Sequence, residues 1–344
     1  MPREPGWWYR HGSAMERALA PFAAIYGHVA TQRLTRGTPY RSRLPVVCVG
    51  NFTAGGSGKT PFTAMLAERL IARGERPAIL SRGYGGSERG PHWVHRQADI
   101  SARVGDEPLL LARIAPVMVS RDRKAGAIAI EAAGAHTVIL MDDGLQNPAL
   151  VKDLSFAVID GARLLGNRAV IPAGPLRAPL DVQLPLVQAI VYNGPVSGHF
   201  EDELGWRREI PALHASLTTT GVWLGGQRLV AYAGIGNPDR FFDTARALGA
   251  TLVEAVAFPD HARFTDNDAT RLLETAARHG ASLITTEKDQ VRLAGSTKLE
   301  ALAAASAVLP VRMALASGDE GVLDGLLDSL FCRRSTHIPR RDLE

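Results

Sequence analysis

The chain has 344 residues, 46% of them hydrophobic and 22% charged, with 39 Lys and Arg against 35 Asp and Glu for a formal charge of +4. This is ordinary composition for a globular protein of about two domains, and it excludes a disordered, collagenous or coiled-coil chain as the whole answer. The basic excess is local: residues 1–43 hold seven Arg and two Glu, a net of +5, and residues 333–344 add +2, leaving −3 for the body and excluding a nucleic-acid-coating surface.

In chain order, residues 1–43 form a basic, aromatic arm. Met15, Leu19, Phe22, Ile25, Tyr26 and Val29 fall largely at three- and four-residue spacings, with Trp7, Trp8, Arg10, Arg17 and Arg33 around them. Such a segment either packs as an amphipathic helix on the first domain or lies in a bilayer interface beside anionic lipid. It lacks the ordered layout of a signal peptide, and no apolar stretch is long enough to span a membrane, so the protein is expected to be soluble or surface-attached. Cys48 and Cys332 offer neither a disulfide framework nor a metal-ligand spacing, which suggests a reducing compartment.

Short apolar runs then alternate with helical patterns. Strands are expected at 45–50, 77–80, 116–119, 137–141, 155–159 and 188–191, and helices at about 62–73, 107–114 and 123–133. This α/β alternation predicts a doubly wound parallel sheet of P-loop NTPase type over 44–200. The pattern weakens over 201–229, which reads as a linker with a short β hairpin and the place for any hinge. A second, smaller α/β domain follows over 230–332, with strands at 229–233, 251–256, 282–285 and 308–311, helices at 239–248 and 266–279, and a closing helix near 318–330. Residues 333–344 form a basic tail.

The most specific local signal is Gly50-Asn-Phe-Thr-Ala-Gly-Gly-Ser-Gly-Lys-Thr60, set between a strand and a helix. Small residues let the backbone amides of Thr53, Ala54, Gly55, Gly56, Ser57 and Gly58 turn inward around a polyphosphate, and the helix N-terminus adds its positive end. Lys59 then reaches the outer phosphates and the Thr60 hydroxyl serves as a ligand for Mg2+. The strict pattern wants Gly at position 53, where this chain has Thr; the remaining glycines still permit the turn. Asp142 and Asp143, at the end of the run Val138-Ile-Leu-Met-Asp142, supply the carboxylate that such a loop needs for its metal, although Asp-Asp-Gly after a strand also reads as a plain turn. No Asn-Lys-x-Asp for guanine is found, so the expected nucleotide is ATP.

Together these segments resemble the tetraacyldisaccharide 4′-kinase family. The resemblance rests on the phosphate loop, Ser81-Arg-Gly-Tyr-Gly85, Val104-Gly-Asp-Glu-Pro108, Asp142-Asp-Gly-Leu-Gln146, Asp160-Gly161, Pro172-Ala-Gly-Pro-Leu-Arg177, Gly234-Ile-Gly-Asn-Pro238, Phe258-Pro-Asp-His261 and Thr286-Glu-Lys-Asp289, in order over almost the whole chain. It implies transfer of the ATP γ-phosphoryl group to the 4′-hydroxyl of a tetraacyl disaccharide 1-phosphate, a lipid A precursor, at the cytoplasmic face of the inner membrane. The substrate's acyl chains then favour the bilayer reading of the arm.

The resemblance also implies an acid–imidazole pair, Asp106 and His261. Alone, Asp106 reads first as a helix cap before Glu107-Pro108, and His261 as a loop residue ahead of an Asp-capped helix. Many relatives carry a second His after the first; this chain has Ala262 and Arg263, so the role falls to His261. Arg123 and Arg177 match basic site positions that would hold the γ-phosphate or the lipid's 1-phosphate, and Arg82 and Tyr84 would face the disaccharide or decorate a turn.

Overall fold

The computed structural model describes residues 4–196, 210–219 and 222–335. Two sheets organise it. The larger takes β1 (Val46–Gly50), β2 (Pro77–Ser81), β3 (His92–Trp93), β4 (Val117–Val119), β5 (Val138–Asp142), β6 (Leu154–Asp160), β7 (Ala189–Asn193) and β8 (Ala212–Thr218). The smaller is parallel and takes β9 (Arg228–Ala233), β10 (Thr251–Ala257), β11 (Ser282–Thr286) and β12 (Ser306–Leu309) in the order β10-β9-β11-β12. The chain then returns as β13 (Arg312–Leu315) to complete the larger sheet, ordered β13-β8-β7-β6-β1-β5-β2-β4-β3.

Central strands of the large sheet are buried on both faces, which is why β1 and β5 read as continuous apolar runs. Alternate residues serve opposite cores. Val47 and Val49 pack with Phe62, Leu66 and Leu70, whereas Val46 and Cys48 pack with Ala127 and Ile130. The helices in chain order are α1 (Ala14–Thr35), α2 (Lys59–Ala72), α3 (Ser101–Val104), α4 (Asp106–Leu111), α5 (Arg123–Ala132) and α6 (Leu180–Gln183). Beyond them lie α7 (Pro238–Ala247), α8 (Asp266–His279), α9 (Glu287–Gln290), α10 (Thr297–Ala305) and α11 (Asp319–Ser335). On the small sheet, Phe241 and Phe242 of α7 cover one face, and Leu272 of α8 with Leu302 of α10 covers the other. The fold is the expected α/β arrangement of two doubly wound sheets.

Three differences from the sequence reading concern the C-terminal half. The linker expected over 201–229 contains β8, a strand of the large sheet that pairs in parallel with β7 and antiparallel with β13, not with a hairpin partner. The part of the hairpin expected at 201–209 and 220–221 lies outside the described residues, as does the tail beyond Ser335. The strand expected at 308–311 is two strands in two sheets, β12 and β13. The closing helix α11 belongs to the large unit, since Leu323, Leu327 and Leu330 join the core under α2. Placing 312–332 in the second domain is therefore corrected: the chain crosses between units twice.

The arm is helical and packs on the large unit, and its outer face stays apolar and exposed. Ser13 caps α1 by accepting from the Glu16 amide, and Ala23 and Gly27 face inward, with Gly27 against Pro179. Trp8 Nε1 donates to the Pro172 carbonyl at 3.1 Å and the Asn167 amide donates to the Trp8 carbonyl at 2.7 Å, seating the arm on the 166–179 loop. The outer face of α1 leaves Met15, Phe22 (62% exposed), Ile25 (66%), Tyr26 and Val29 in the open. No described helix is long and apolar enough to cross a membrane.

Candidate active site

The phosphate loop links β1 to α2, with Gly58 capping the helix at φ +93°. A Cβ there would meet Asn193 Nδ2 at 2.5 Å, so only glycine allows both the left-handed turn and this close approach. Asn193, at the end of β7, donates to the Ser57 carbonyl at 3.2 Å. On the other flank the loop is stitched to residues 175–177: the Ala54 amide donates to the Pro175 carbonyl at 2.8 Å and the Arg177 amide to the Phe52 carbonyl at 2.9 Å. These props hold the loop without using its glycine-rich tip.

Sheet register brings the acids to the same edge. β5 lies beside β1, with Val49 opposite Asp142. Asp143 takes two contacts from the Arg177 guanidinium, at 2.8 and 3.3 Å, and lies 3.9 Å from Lys59 Nζ. Burial alone would raise its pKa, but Lys59 and Arg177 outweigh burial and hold the carboxyl below its ordinary value. Burial likewise lowers the Lys59 pKa, against the opposing pull of Asp143.

Asp142 differs. It is 5% exposed and accepts from Thr63 Oγ1 at 3.1 Å. Burial, then the charges of Asp143 and Glu107, push its pKa up to about 6. Glu107, which sequence reasoning passed over, leaves Oε2 buried with no hydrogen-bond partner among the described residues. Asp142, the unpaired Oε2 of Glu107 and the Thr60 hydroxyl at the start of α2 are hard oxygen donors of the kind Mg2+ takes, so the residues fit that ion.

Across the cleft, α4 and the small sheet build a second constellation. Gly105 at φ +94° turns the chain so that Asp106 opens α4 facing the small unit. His261, in the turn after β10, reaches it with Nδ1 3.1 Å from Asp106 Oδ2. Arg292 donates to the same oxygen through Nε at 2.8 Å, with Nη2 2.7 Å away. Burial raises the Asp106 pKa, but hydrogen bonds from His261 and Arg292 prevail and keep the carboxyl below its usual range. Arg292 is fixed in turn by the Gly234 carbonyl at 2.6 Å and Asp289 at 2.8 Å. Among the described residues, Asp106 Oδ1 accepts no hydrogen bond.

The structure thus brings together the phosphate loop, Asp142, Asp143, Arg177, Asp106 and His261. Tyr84 stands near them, its ring 6.0 Å from that of His261, and Arg82 is exposed on the same loop. Arg123 is placed differently. Only 2% exposed, it donates to the Ser120 carbonyl at 2.8 Å and the Asp142 carbonyl at 3.3 Å, bracing two strand ends from below, and burial lowers its pKa to about 10. Glu107, Lys288 and Arg292 were missed. Glu107 and Lys288 were visible as unspent charges inside the segments Val104–Pro108 and Thr286–Asp289.

A phosphate loop on a doubly wound sheet, with acids on the neighbouring strand and an acid–imidazole pair shared with a second sheet, defines a P-loop phosphotransferase. The family model for tetraacyldisaccharide-1-P 4′-kinase matches residues 15–331. A tetraacyldisaccharide 4′-kinase of Methylobacterium sp. (strain 4-46) is 48% identical over 339 residues, covering 97% of this chain and 99% of the relative. One of Methylorubrum extorquens (strain PA1) is 50% identical over 296 residues, 85% of this chain and 89% of that one. The solved structure of LpxK from Aquifex aeolicus in complex with ATP superposes with a TM-score of 0.72 at 25% identity, covering 92% of this chain and 99% of that one. The chain belongs to the tetraacyldisaccharide 4′-kinase family.

Proposed function

We infer that the chain is an ATP-dependent kinase of lipid A biosynthesis, transferring the γ-phosphoryl group of ATP to the 4′-hydroxyl of a tetraacyldisaccharide 1-phosphate. The observation that carries this reading is the convergence, in one cleft, of a phosphate loop and an Asp–His pair from opposite sheets. The loop amides and Lys59 hold the polyphosphate. Thr60, Asp142 and Glu107 are the residues to hold Mg2+, which when bound neutralises charge between the β- and γ-phosphates. Asp143 serves the site indirectly, pinning Lys59 and Arg177. Arg82 and Tyr84 face the acceptor sugar. Arg123 supports the Asp142 strand end without touching a phosphate.

The acceptor oxygen attacks the γ-phosphorus, the bond to the bridging oxygen breaks, ADP departs, and the hydroxyl proton passes to Asp106 Oδ1. A carboxylate of low pKa suffices, because in a loose transition state the proton leaves late. His261 orients that carboxylate. The exposed apolar face of α1, flanked by Arg17 and Arg33, rests on the anionic cytoplasmic face of the inner membrane and brings the cleft to the lipid. Incubation of the protein with MgATP and the disaccharide 1-phosphate should give a 4′-phosphorylated product. Asp106→Ala should lower turnover by about 10²–10⁴-fold with ATP binding retained. Absence of product from the wild type, or near-normal turnover in the variant, would overturn the assignment.

A further inference from the structure

One cation in the cleft is unused by this reading. Lys288 sits in α9, the single turn that follows β11, and each of its neighbours has a structural task. Thr286 caps the turn at the Asp289 amide, Glu287 accepts from the Val311 amide at 3.1 Å and from Arg312, and Asp289 clamps Arg292 and the Gly234 amide. Lys288 reaches instead into the cleft. Its Nζ lies 3.2 Å from His261 Nε2 and 3.1 Å from Glu107 Oε1.

An ammonium group donates and never accepts. Its approach to Nε2 asks that nitrogen to present a lone pair; at Nδ1 the Asp106 Oδ2 acceptor at 3.1 Å is nearer than the Arg292 Nη2 donor at 3.4 Å, so the ring proton belongs on Nδ1. Arg292, the other donor to that oxygen, is held from behind and cannot substitute for Lys288 at the far side of the ring. The two contacts of Lys288 also join the proton-transfer pair to an acid of the metal-binding set, although His261 and Glu107 come from different units.

We propose that Lys288 is a positioning residue for the phosphoryl transfer: by donating to His261 Nε2 and Glu107 together, it fixes the Nδ1–H tautomer of His261 and holds the imidazole in register with Asp106. This rests on the Asp106–His261 reading above. It assigns Lys288 no contact with ATP, so its loss acts on turnover and not on nucleotide affinity.

The test uses the full-length protein with 15N-labelled histidine at a pH where the ring is neutral, the His261 signals being assigned by their loss in His261→Gln. Wild type should show protonated Nδ1 and unprotonated Nε2, and Lys288→Met a tautomer mixture. By analogy with other groups that orient a functional histidine, kcat should fall about 10–100-fold in Lys288→Met, with the KM for ATP changed less than about threefold. Lys288→Arg, which keeps a donor, should restore part of that loss and the tautomer. In the His261→Gln background Lys288→Met should cost less than about threefold more, because the ring it orients is gone. An unchanged tautomer, or a raised KM for ATP with kcat preserved, would overturn the proposal; the latter would make Lys288 a phosphate ligand. Normal turnover in His261→Gln alongside a tautomer shift in Lys288→Met would instead overturn the reading of the pair.

Discussion

Asp142 is a carboxyl that the fold strains to keep charged, and its replacement separates stability from activity. Its pKa stands at about 6, where a free Asp titrates at 3.8. At about 1.4 kcal/mol per pH unit, keeping it ionised in the metal-free protein costs about 3 kcal/mol. Below about pH 4 the carboxyl is protonated in both folded and unfolded chains and no cost arises; the cost grows between about pH 4 and pH 6 and is complete above. Asp142→Asn removes the charge while keeping an oxygen to accept from Thr63. In metal-free urea unfolding at pH 7.5 the variant should be more stable than wild type by about 2–3 kcal/mol, the lower figure allowing for an imperfectly paired buried amide. At pH 4 the two should coincide. Addition of MgATP should stabilise wild type far more than the variant, whose turnover should be close to lost. A variant less stable at pH 7.5, or a difference that does not vary with pH, would refute the account.

Two further predictions concern the loop and the arm. Arg177→Ala removes both contacts to Asp143 and the 2.9 Å bond from Nε to the Thr53 carbonyl; charged hydrogen bonds of this kind predict a rise of about tenfold in the KM for ATP, measured by steady-state kinetics, with a smaller change in kcat. The double substitution Phe22→Glu with Ile25→Glu should lower sedimentation with anionic vesicles at least about tenfold, because each apolar side chain contributes about 1.5–3 kcal/mol when buried. The same variant should melt within a few degrees of wild type, since both positions face outward; equal sedimentation would remove the case for an interfacial face.

Local chemistry was what could be read from the chain. The phosphate loop and the acids after β5 lie within single strand–turn units, where periodicity and glycine spacing place every residue. The Asp106–His261 contact joins residues 155 apart, and no pattern on either side points to the other; only the family resemblance connected them. Lys288 stood out as a charge in its motif, but its reach to Glu107, like that of Arg292 to Asp106, was hidden for the same reason, because those acids belong to the other unit. β8 and β13 escaped because a seven-residue strand with His214 and Ser216 on its open face, and a four-residue one, carry little apolar signal. Arg123 shows the opposite error: an Arg beside a phosphate site suggests an anion ligand, yet burial and two carbonyl acceptors give it a bracing task.

The double crossing between the sheets also sets the order in which the molecule can be made. The small unit is spliced between β8 and β13, adjacent strands of the large sheet. During synthesis, everything the small unit needs, through β12, emerges before β13 and α11 do. The large unit, which starts first, must wait with one edge of β8 unpaired and its core open until β13 and then Leu323, Leu327 and Leu330 arrive. The later unit is therefore the first to finish. A nascent chain exposed only through residue 310 would hold a closed small lobe beside an open large one, and that chain is the form most in need of a chaperone.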